Sequence, residues 1–93
     1  MPIIARHLTI RGRVQGVFYR DWAIRAAITL GVTGWIRNRA DGSVEALAVG
    51  EPAALEAFIS RCRGGSPSAR VDELLVTEAE PVAIKGFERR PTA

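Results

Sequence analysis

Apolar residues change their spacing several times along the chain, and each change predicts a different element. Near the N-terminus, apolar residues alternate with polar ones as on one face of a strand: Ile4, Leu8 and Ile10. A helix is predicted from about residue 20 to residue 30, and Gly31 is positioned to end it. Its expected inward stripe consists of Ala23, Ile24, Ala27 and Ile28.

The middle of the chain has the pattern of a β-hairpin. Two strand-like segments, residues 32–39 and 43–49, flank Ala40, Asp41 and Gly42. An Asp-Gly pair supplies the positive φ that a tight hairpin turn requires. This segment therefore predicts two adjacent antiparallel strands.

A second helix and further strands are predicted after the hairpin. Pro52 suits a first helical turn, and Gly64 with Gly65 ends the pattern. Apolar residues at positions i, i+3, i+4 and i+7 form its expected buried stripe: Leu55, Phe58, Ile59 and Cys62. Residues 71–77 are predicted to form a fourth strand, and residues 83–90 to add a short edge strand.

The order of these elements predicts the fold class. Strand, helix, strand, strand, helix, strand is the split βαβ pattern of ferredoxin-like α+β domains. We expect an antiparallel four- to five-stranded sheet with two helices on one face, in a single domain over residues 1–93. The first two strands then run parallel, so that the loop after the first strand and Asn38 near the end of the second can face a common pocket.

Composition and charge narrow the function classes. The chain has 47% hydrophobic and 25% charged residues, which is typical of a globular domain. Its net charge of +3 is compatible with anionic ligands. One cysteine and one histidine cannot form a disulfide or a tetrahedral metal site, so we expect no metal and no cofactor. The N-terminal residues lack a secretory pattern, and no apolar run is long enough to cross a membrane. We expect a cytosolic monomer without a membrane partner.

The candidate chemistry lies in the segment Gly12-Arg13-Val14-Gln15-Gly16-Val17-Phe18-Tyr19-Arg20. Its glycines permit positive φ, so that successive backbone N–H groups can turn toward one oxyanion. The following helix adds its unpaired N–H groups, and Arg20 adds a fixed guanidinium that fits phosphate. Neither the lysine and Ser/Thr of a nucleotide-binding P-loop nor a thiolate is present in this loop. The segment predicts a phosphate-binding loop.

Residues 10–20 resemble the signature of the acylphosphatases, small enzymes that hydrolyse the mixed anhydride of a carboxylate and phosphate. Residues 34–38, Gly-Trp-Ile-Arg-Asn, and residues 41–44, Asp-Gly-Ser-Val, are similar to the second active-site segment of that family. Tyr19 departs from the usual Phe or Met, and we interpret it as tolerated packing. The resemblance implies a small acyl phosphate as substrate, with inorganic phosphate as product or inhibitor.

The resemblance also implies the site residues. Backbone N–H groups of the loop would hold the phosphoryl oxygens, Arg20 would bind the same group, and Asn38 would orient the attacking water. The loop residues in this prediction are Gln15, Gly16, Val17, Phe18, Tyr19 and Arg20. Because the carboxylate leaving group has a conjugate acid of pKa about 4, it departs without a general acid.

Other interpretations stay open beside the enzymatic one. Ferredoxin-like sheets also bind RNA on exposed aromatic residues, but the segment 43–49 contains no aromatic residue, so we do not expect nucleic acid. A non-catalytic phosphate-binding module, or a regulatory role with a carbamoyl-phosphate-like ligand, is a further alternative that only an activity measurement separates. His7 is expected to be structural, and Cys62 to lie in the core.

Overall fold

Five strands and two helices alternate in the order that the apolar pattern predicts. The structure is a computed structural model that describes residues 2–93. Its elements are β1 (Ile4–Arg13), α1 (Tyr19–Leu30), β2 (Thr33–Asn38), β3 (Val44–Gly50), α2 (Pro52–Gly64), β4 (Arg70–Ala79) and β5 (Phe87–Arg89). Over residues 2–93, neither helix has the length and apolar character needed to cross a membrane.

The strands form one sheet in the order β4-β1-β3-β2-β5. The pairs β1 with β3, β1 with β4, and β2 with β3 are antiparallel, as the ferredoxin-like pattern predicts. The fifth strand differs, because β5 pairs in parallel with β2 through Gly34 and Phe87. The expected antiparallel pairing is thus found among β1 to β4, whereas the parallel pairing of β5 makes the five-stranded sheet mixed.

Both helices pack on one face of the sheet. Leu8, Ile10 and Ile36 point to this face and are fully buried. From the helices, Phe58 and Leu55 join the same cluster, and the Phe58 ring lies 5.4 Å from that of Phe87. The alternation of apolar residues in β1 and the stripe on α2 were thus correctly predicted.

The stripe predicted for α1 is partly wrong. The buried residues are Tyr19, Ala23, Ala26 and Ala27, whereas Ile28 is 63% exposed. The small alanine side chains form the inner face of the helix, and the larger isoleucine lies outside it. Size is thus a poor guide to which face of α1 is buried.

Gly34 allows the β2 and β3 backbones to approach closely. Its φ is 143°, and a Cβ atom at this position would lie 1.8 Å from the carbonyl oxygen of Leu47. The Gly34 N–H also donates to the Gly86 carbonyl, which brings the segment before β5 to the edge of the sheet. This close packing helps to bring the C-terminal strand to β2.

The opposite face of the sheet carries a polar cluster. His7 Nε2 lies 2.6 Å from Glu45 Oε2, and Arg37 Nε donates to Glu45 Oε1 at 2.6 Å. Burial alone would raise the pKa of Glu45, but these two hydrogen bonds outweigh it and hold the pKa below its ordinary value. The guanidinium groups of Arg37 and Arg90 lie over the Trp35 ring, at 4.9 Å and 5.0 Å from its centroid.

Candidate active site

A cavity of about 240 Å³ lies at the N-terminal end of α1. Residues from the loop after β1, from the first turn of α1 and from β5 line it: Val14, Gly16, Phe18, Tyr19, Arg20, Asp21 and Arg89. Four of the six residues predicted for the phosphate-binding loop are among them. The cavity is therefore the candidate phosphate-binding site.

The backbone at this cavity leaves several N–H groups without helical partners. Gly16 has a φ of 73° and Phe18 a φ of 61°, so two left-handed residues bend the loop around Val17. The first helical hydrogen bond joins Trp22 N–H to the Phe18 carbonyl, and no side chain caps the helix. The N–H groups of the first three helical residues, 19–21, thus have no acceptor within the helix. Such a helix start attracts anions, because its positive dipole end adds to the free donors.

Two guanidinium groups meet at the same cavity. Burial, and then the positive charge of Arg89, lower the pKa of Arg20, which nevertheless stays charged at neutral pH. Arg89 forms an ion pair with Asp21, whose carboxylate also lines the cavity. Among the described residues, Arg20 has no ion-pair partner. An anion in the cavity would relieve the repulsion between the two arginines.

Sequence reasoning did not assign a role to Arg89. It lies almost seventy residues from the loop, and it reaches the cavity only because β5 pairs with β2. A basic residue in a short terminal strand is a weak signal by itself. Arg89 reaches the cavity through the pairing of β5 with β2, and these two strands are distant in sequence.

Gln15 and Val17 do not line the cavity. The side-chain amide of Gln15 donates to the carbonyl oxygens of Arg39 and Ser43, both at 2.8 Å. These two residues flank the turn between β2 and β3, so the Gln15 side chain links the loop to the hairpin. Val17 lines an adjacent groove of about 270 Å³.

Asn38 is the last residue of β2, and it does not line the cavity either. It pairs with Val44, whose side chain is fully buried in the core on the helix-covered face. Its side-chain oxygen Oδ1 is buried and has no hydrogen-bond partner among residues 2–93. Its backbone carbonyl accepts from the N–H of Ala93, so the C-terminal residues run along this end of β2. A buried acceptor without a partner is costly, and a water molecule or ligand could satisfy it.

Tyr19 and Cys62 belong to the core. The Tyr19 hydroxyl donates to the Cys62 carbonyl at 2.9 Å, which satisfies the extra polar atom of this departure from the family pattern. Burial raises the pKa of the Cys62 thiol to about 12 and also raises the pKa of Tyr19. Both side chains are neutral at physiological pH, and the expectation that Cys62 is a core residue is confirmed.

The described residues offer no clustered metal ligands. Over residues 2–93, no group of three or more His, Cys, Asp and Glu side chains could hold a metal ion. His7 lies in the polar cluster on the opposite face of the sheet. The cavity itself presents the free N–H groups of the helix start and two guanidinium groups.

The chain is similar in sequence and in fold to known proteins of one family. The family model described as Acylphosphatase matches residues 6–89. A protein of Rhizorhabdus wittichii named acylphosphatase is 49% identical over 89 residues, which cover 96% of this chain and 90% of that protein. A Rhodospirillum rubrum protein of the same name is 54% identical over 83 residues, covering 89% of this chain and 91% of the relative. The crystal structure of acylphosphatase from Bacillus subtilis superposes with a TM-score of 0.90 at 33% identity, covering 96% of this chain and 99% of that one.

Proposed function

The chain belongs to the acylphosphatase family, and on this basis we propose that it hydrolyses small acyl phosphates to a carboxylate and inorganic phosphate. The observation that carries the proposal is the convergence at one cavity of three helix-start N–H groups and the Arg20 and Arg89 guanidiniums. This donor set suits a phosphoryl group with two or three negative oxygens.

We assign the phosphoryl oxygens to the loop after β1. The free N–H groups of the first turn of α1 and the bent backbone between Gly16 and Phe18 form the phosphate-binding loop. Arg20 binds the same oxygens and stabilises the charge that redistributes in the transition state. Arg89 is a second cation for the bound anion, held in position by Asp21.

We assign the orientation of the attacking water to Asn38. Its buried, unpartnered Oδ1 can accept a hydrogen bond from water, and a carboxamide is too weak a base to remove a proton outright. In the reaction, a bond forms between water oxygen and phosphorus while the bond from phosphorus to the carboxylate oxygen breaks. The carboxylate leaves with the bonding electron pair, and the water proton passes to a phosphoryl oxygen or to solvent. No protein acid is required, because the leaving group is a weak base.

The decisive experiment is hydrolysis of benzoyl phosphate by wild type, Arg20→Ala and Asn38→Ala in the presence of a chelator. We expect metal-independent activity in wild type. Each variant should lose at least about 3 kcal/mol of transition-state stabilisation, or about 150-fold in kcat/KM. Arg63→Ala is the matched control, because Arg63 is an exposed arginine on α2 that does not line the cavity. Equal rates in all four proteins would refute the assignment.

Three properties stay predictions beside this proposal. A cytosolic location, a monomeric state and a single functional domain over residues 1–93 are expected from the sequence. The single buried cluster that joins both helices to the sheet supports the last of these. Sedimentation or light scattering of the purified protein tests the monomeric state.

A further inference from the structure

A second concave surface adjoins the cavity and shares two of its walls. This groove, of about 270 Å³, lies between α1 and the segment that joins α2 to β4. Phe18 and Asp21 line both the groove and the cavity. The other residues that matter here are Val17, Trp22, Arg25 and Ser66. A molecule held in the cavity can therefore extend into the groove past the Phe18 ring.

The Phe18 backbone bends the loop after β1, but the Phe18 side chain has no packing role in the core. Its side chain is 79% exposed, the highest value among the large exposed hydrophobic residues in the described part of the chain. Its φ of 61° is a left-handed conformation that costs a bulky residue about 1–2 kcal/mol. An exposed aromatic ring on a strained backbone at the mouth of a site is typical of a ligand contact.

The rest of the groove has a mixed apolar and polar lining. Trp22 is half-buried, and its ring lies 6.0 Å from that of Tyr19, so the core holds it in place. Ser66 is 7% exposed, and its hydroxyl has no hydrogen-bond partner among residues 2–93. Arg25 is exposed and forms no ion pair within the same residues. The groove thus combines two aromatic side chains with a cation that has no carboxylate partner.

We propose that this groove is the acyl-binding subsite, and that the preferred substrates are acyl phosphates with an aromatic or extended acyl group carrying a distal carboxylate. This inference rests on the proposed function, because the phosphoryl group must occupy the cavity for its acyl group to reach Phe18. Trp22 and Phe18 contact the acyl chain, and Arg25 pairs with the distal carboxylate. Asp21 does not repel such a substrate strongly, since Arg89 neutralises its charge.

The dimensions of the groove agree with a ring-sized occupant. A closed cavity of about 150 Å³ is large enough for benzene. A benzoyl group therefore fits within 270 Å³, whereas an acetyl group leaves most of the groove to water. The chain should discriminate between acyl groups by size, and not only by the reactivity of the anhydride.

The first test compares kcat/KM for benzoyl phosphate with kcat/KM for acetyl phosphate in wild type, Trp22→Ala and Trp22→Phe. Taking the ratio of the two values in each protein, and then comparing proteins, cancels the intrinsic reactivity of the two substrates. We expect Trp22→Ala to lower this ratio about tenfold, and Trp22→Phe to restore at least half of the loss on a logarithmic scale. Ile28→Ala, an exposed apolar residue of the same helix outside the groove, is the control and should keep the wild-type ratio.

The second test concerns charge and does not depend on core packing. We expect wild type to hydrolyse 4-carboxybenzoyl phosphate with a higher kcat/KM than benzoyl phosphate. Arg25→Gln should abolish this preference, and the control Arg63→Gln should retain it. We expect the preference to be about fivefold at low ionic strength and to fall with added salt.

The outcomes separate this inference from the proposed function. If wild type hydrolyses none of these compounds, the proposed function fails and the subsite fails with it. If wild type and all groove variants hydrolyse them with unchanged ratios, while Arg20→Ala is inactive, the acyl-binding subsite alone is refuted. If Trp22→Ala changes the ratio but Arg25→Gln keeps the wild-type preference, the pairing of Arg25 with a distal carboxylate is refuted. The binding of an aromatic acyl group in the groove is then retained.

Discussion

Replacing Arg89 with alanine tests whether β5 contributes to the site. Arg89 and Asp21 form an ion pair with side chains that are 45% and 47% exposed. An ion pair of this exposure contributes about 0–1 kcal/mol to stability, so Arg89→Ala should hardly change the free energy of unfolding. A hydrogen bond from the same guanidinium to a phosphoryl oxygen is worth about 1.5–3 kcal/mol. The expected loss in kcat/KM is therefore about 10- to 150-fold, with little loss of stability.

The assay combines kinetics, inhibition and unfolding. In Arg89→Ala, kcat/KM for benzoyl phosphate should fall and the competitive inhibition constant of inorganic phosphate should rise. Urea unfolding should give a midpoint close to that of wild type. Arg90→Ala is the matched control, because the Arg90 guanidinium lies over Trp35 on the opposite face of the sheet and pairs with Glu88. The double variant Asp21→Asn, Arg89→Ala should recover part of the loss, since it removes the carboxylate left unpaired beside the anion.

The reasoning about Arg89 has a clear point of failure. If Arg89→Ala keeps kcat/KM and phosphate inhibition within threefold of wild type, Arg89 is a surface residue of the cavity wall and not a ligand for the anion. If Arg90→Ala loses as much activity as Arg89→Ala, the effect belongs to the C-terminal segment as a whole and not to Arg89.

Two further predictions concern stability. Gly34→Ala should lower the free energy of unfolding by at least about 3 kcal/mol, because the new methyl group would lie 1.8 Å from the Leu47 carbonyl oxygen. Gly64→Ala is the control and should be neutral, because the space around Gly64 is open. Equal urea midpoints for the two variants would contradict the predicted clash. Because the pKa of Glu45 in the folded protein lies below its ordinary value of 4.5, its carboxylate stabilises the fold above that pH and this stabilisation is lost as the pH falls through the folded value. Glu45→Gln should therefore show a shallower loss of unfolding free energy with acid than wild type, and parallel curves would refute this.

Much of the fold follows from local patterns in the chain. The alternation in β1, the Asp41-Gly42 turn and the apolar stripe of α2 are short-range signals, and each was confirmed. The backbone geometry of the loop is also local, because positive φ at Gly16 follows from the lack of a side chain. These features depend on neighbours within one or two turns.

The features that could not be predicted depend on contacts between distant segments. The buried face of α1 follows from how closely the helix approaches the sheet, so Ala26 is inside and Ile28 outside, against their hydrophobicity. The parallel pairing of β5 depends on which sheet edge remains free after β4 has paired with β1. The place of Arg89 follows from that pairing, and the side chain of Gln15 points to a hairpin more than twenty residues away. No periodicity within the sequence reports such distances.

The link made by Gln15 bears on how precisely the two halves of the proposed site stay aligned. One amide group holds the carbonyls of Arg39 and Ser43, and Arg39 directly follows Asn38. Because these two hydrogen bonds join the loop after β1 to the hairpin, we expect the two segments to move together, so that the distance between a bound phosphoryl group and the Asn38 carboxamide varies less than the position of either. Thermal motion then displaces the loop and the hairpin together and changes their relative position little.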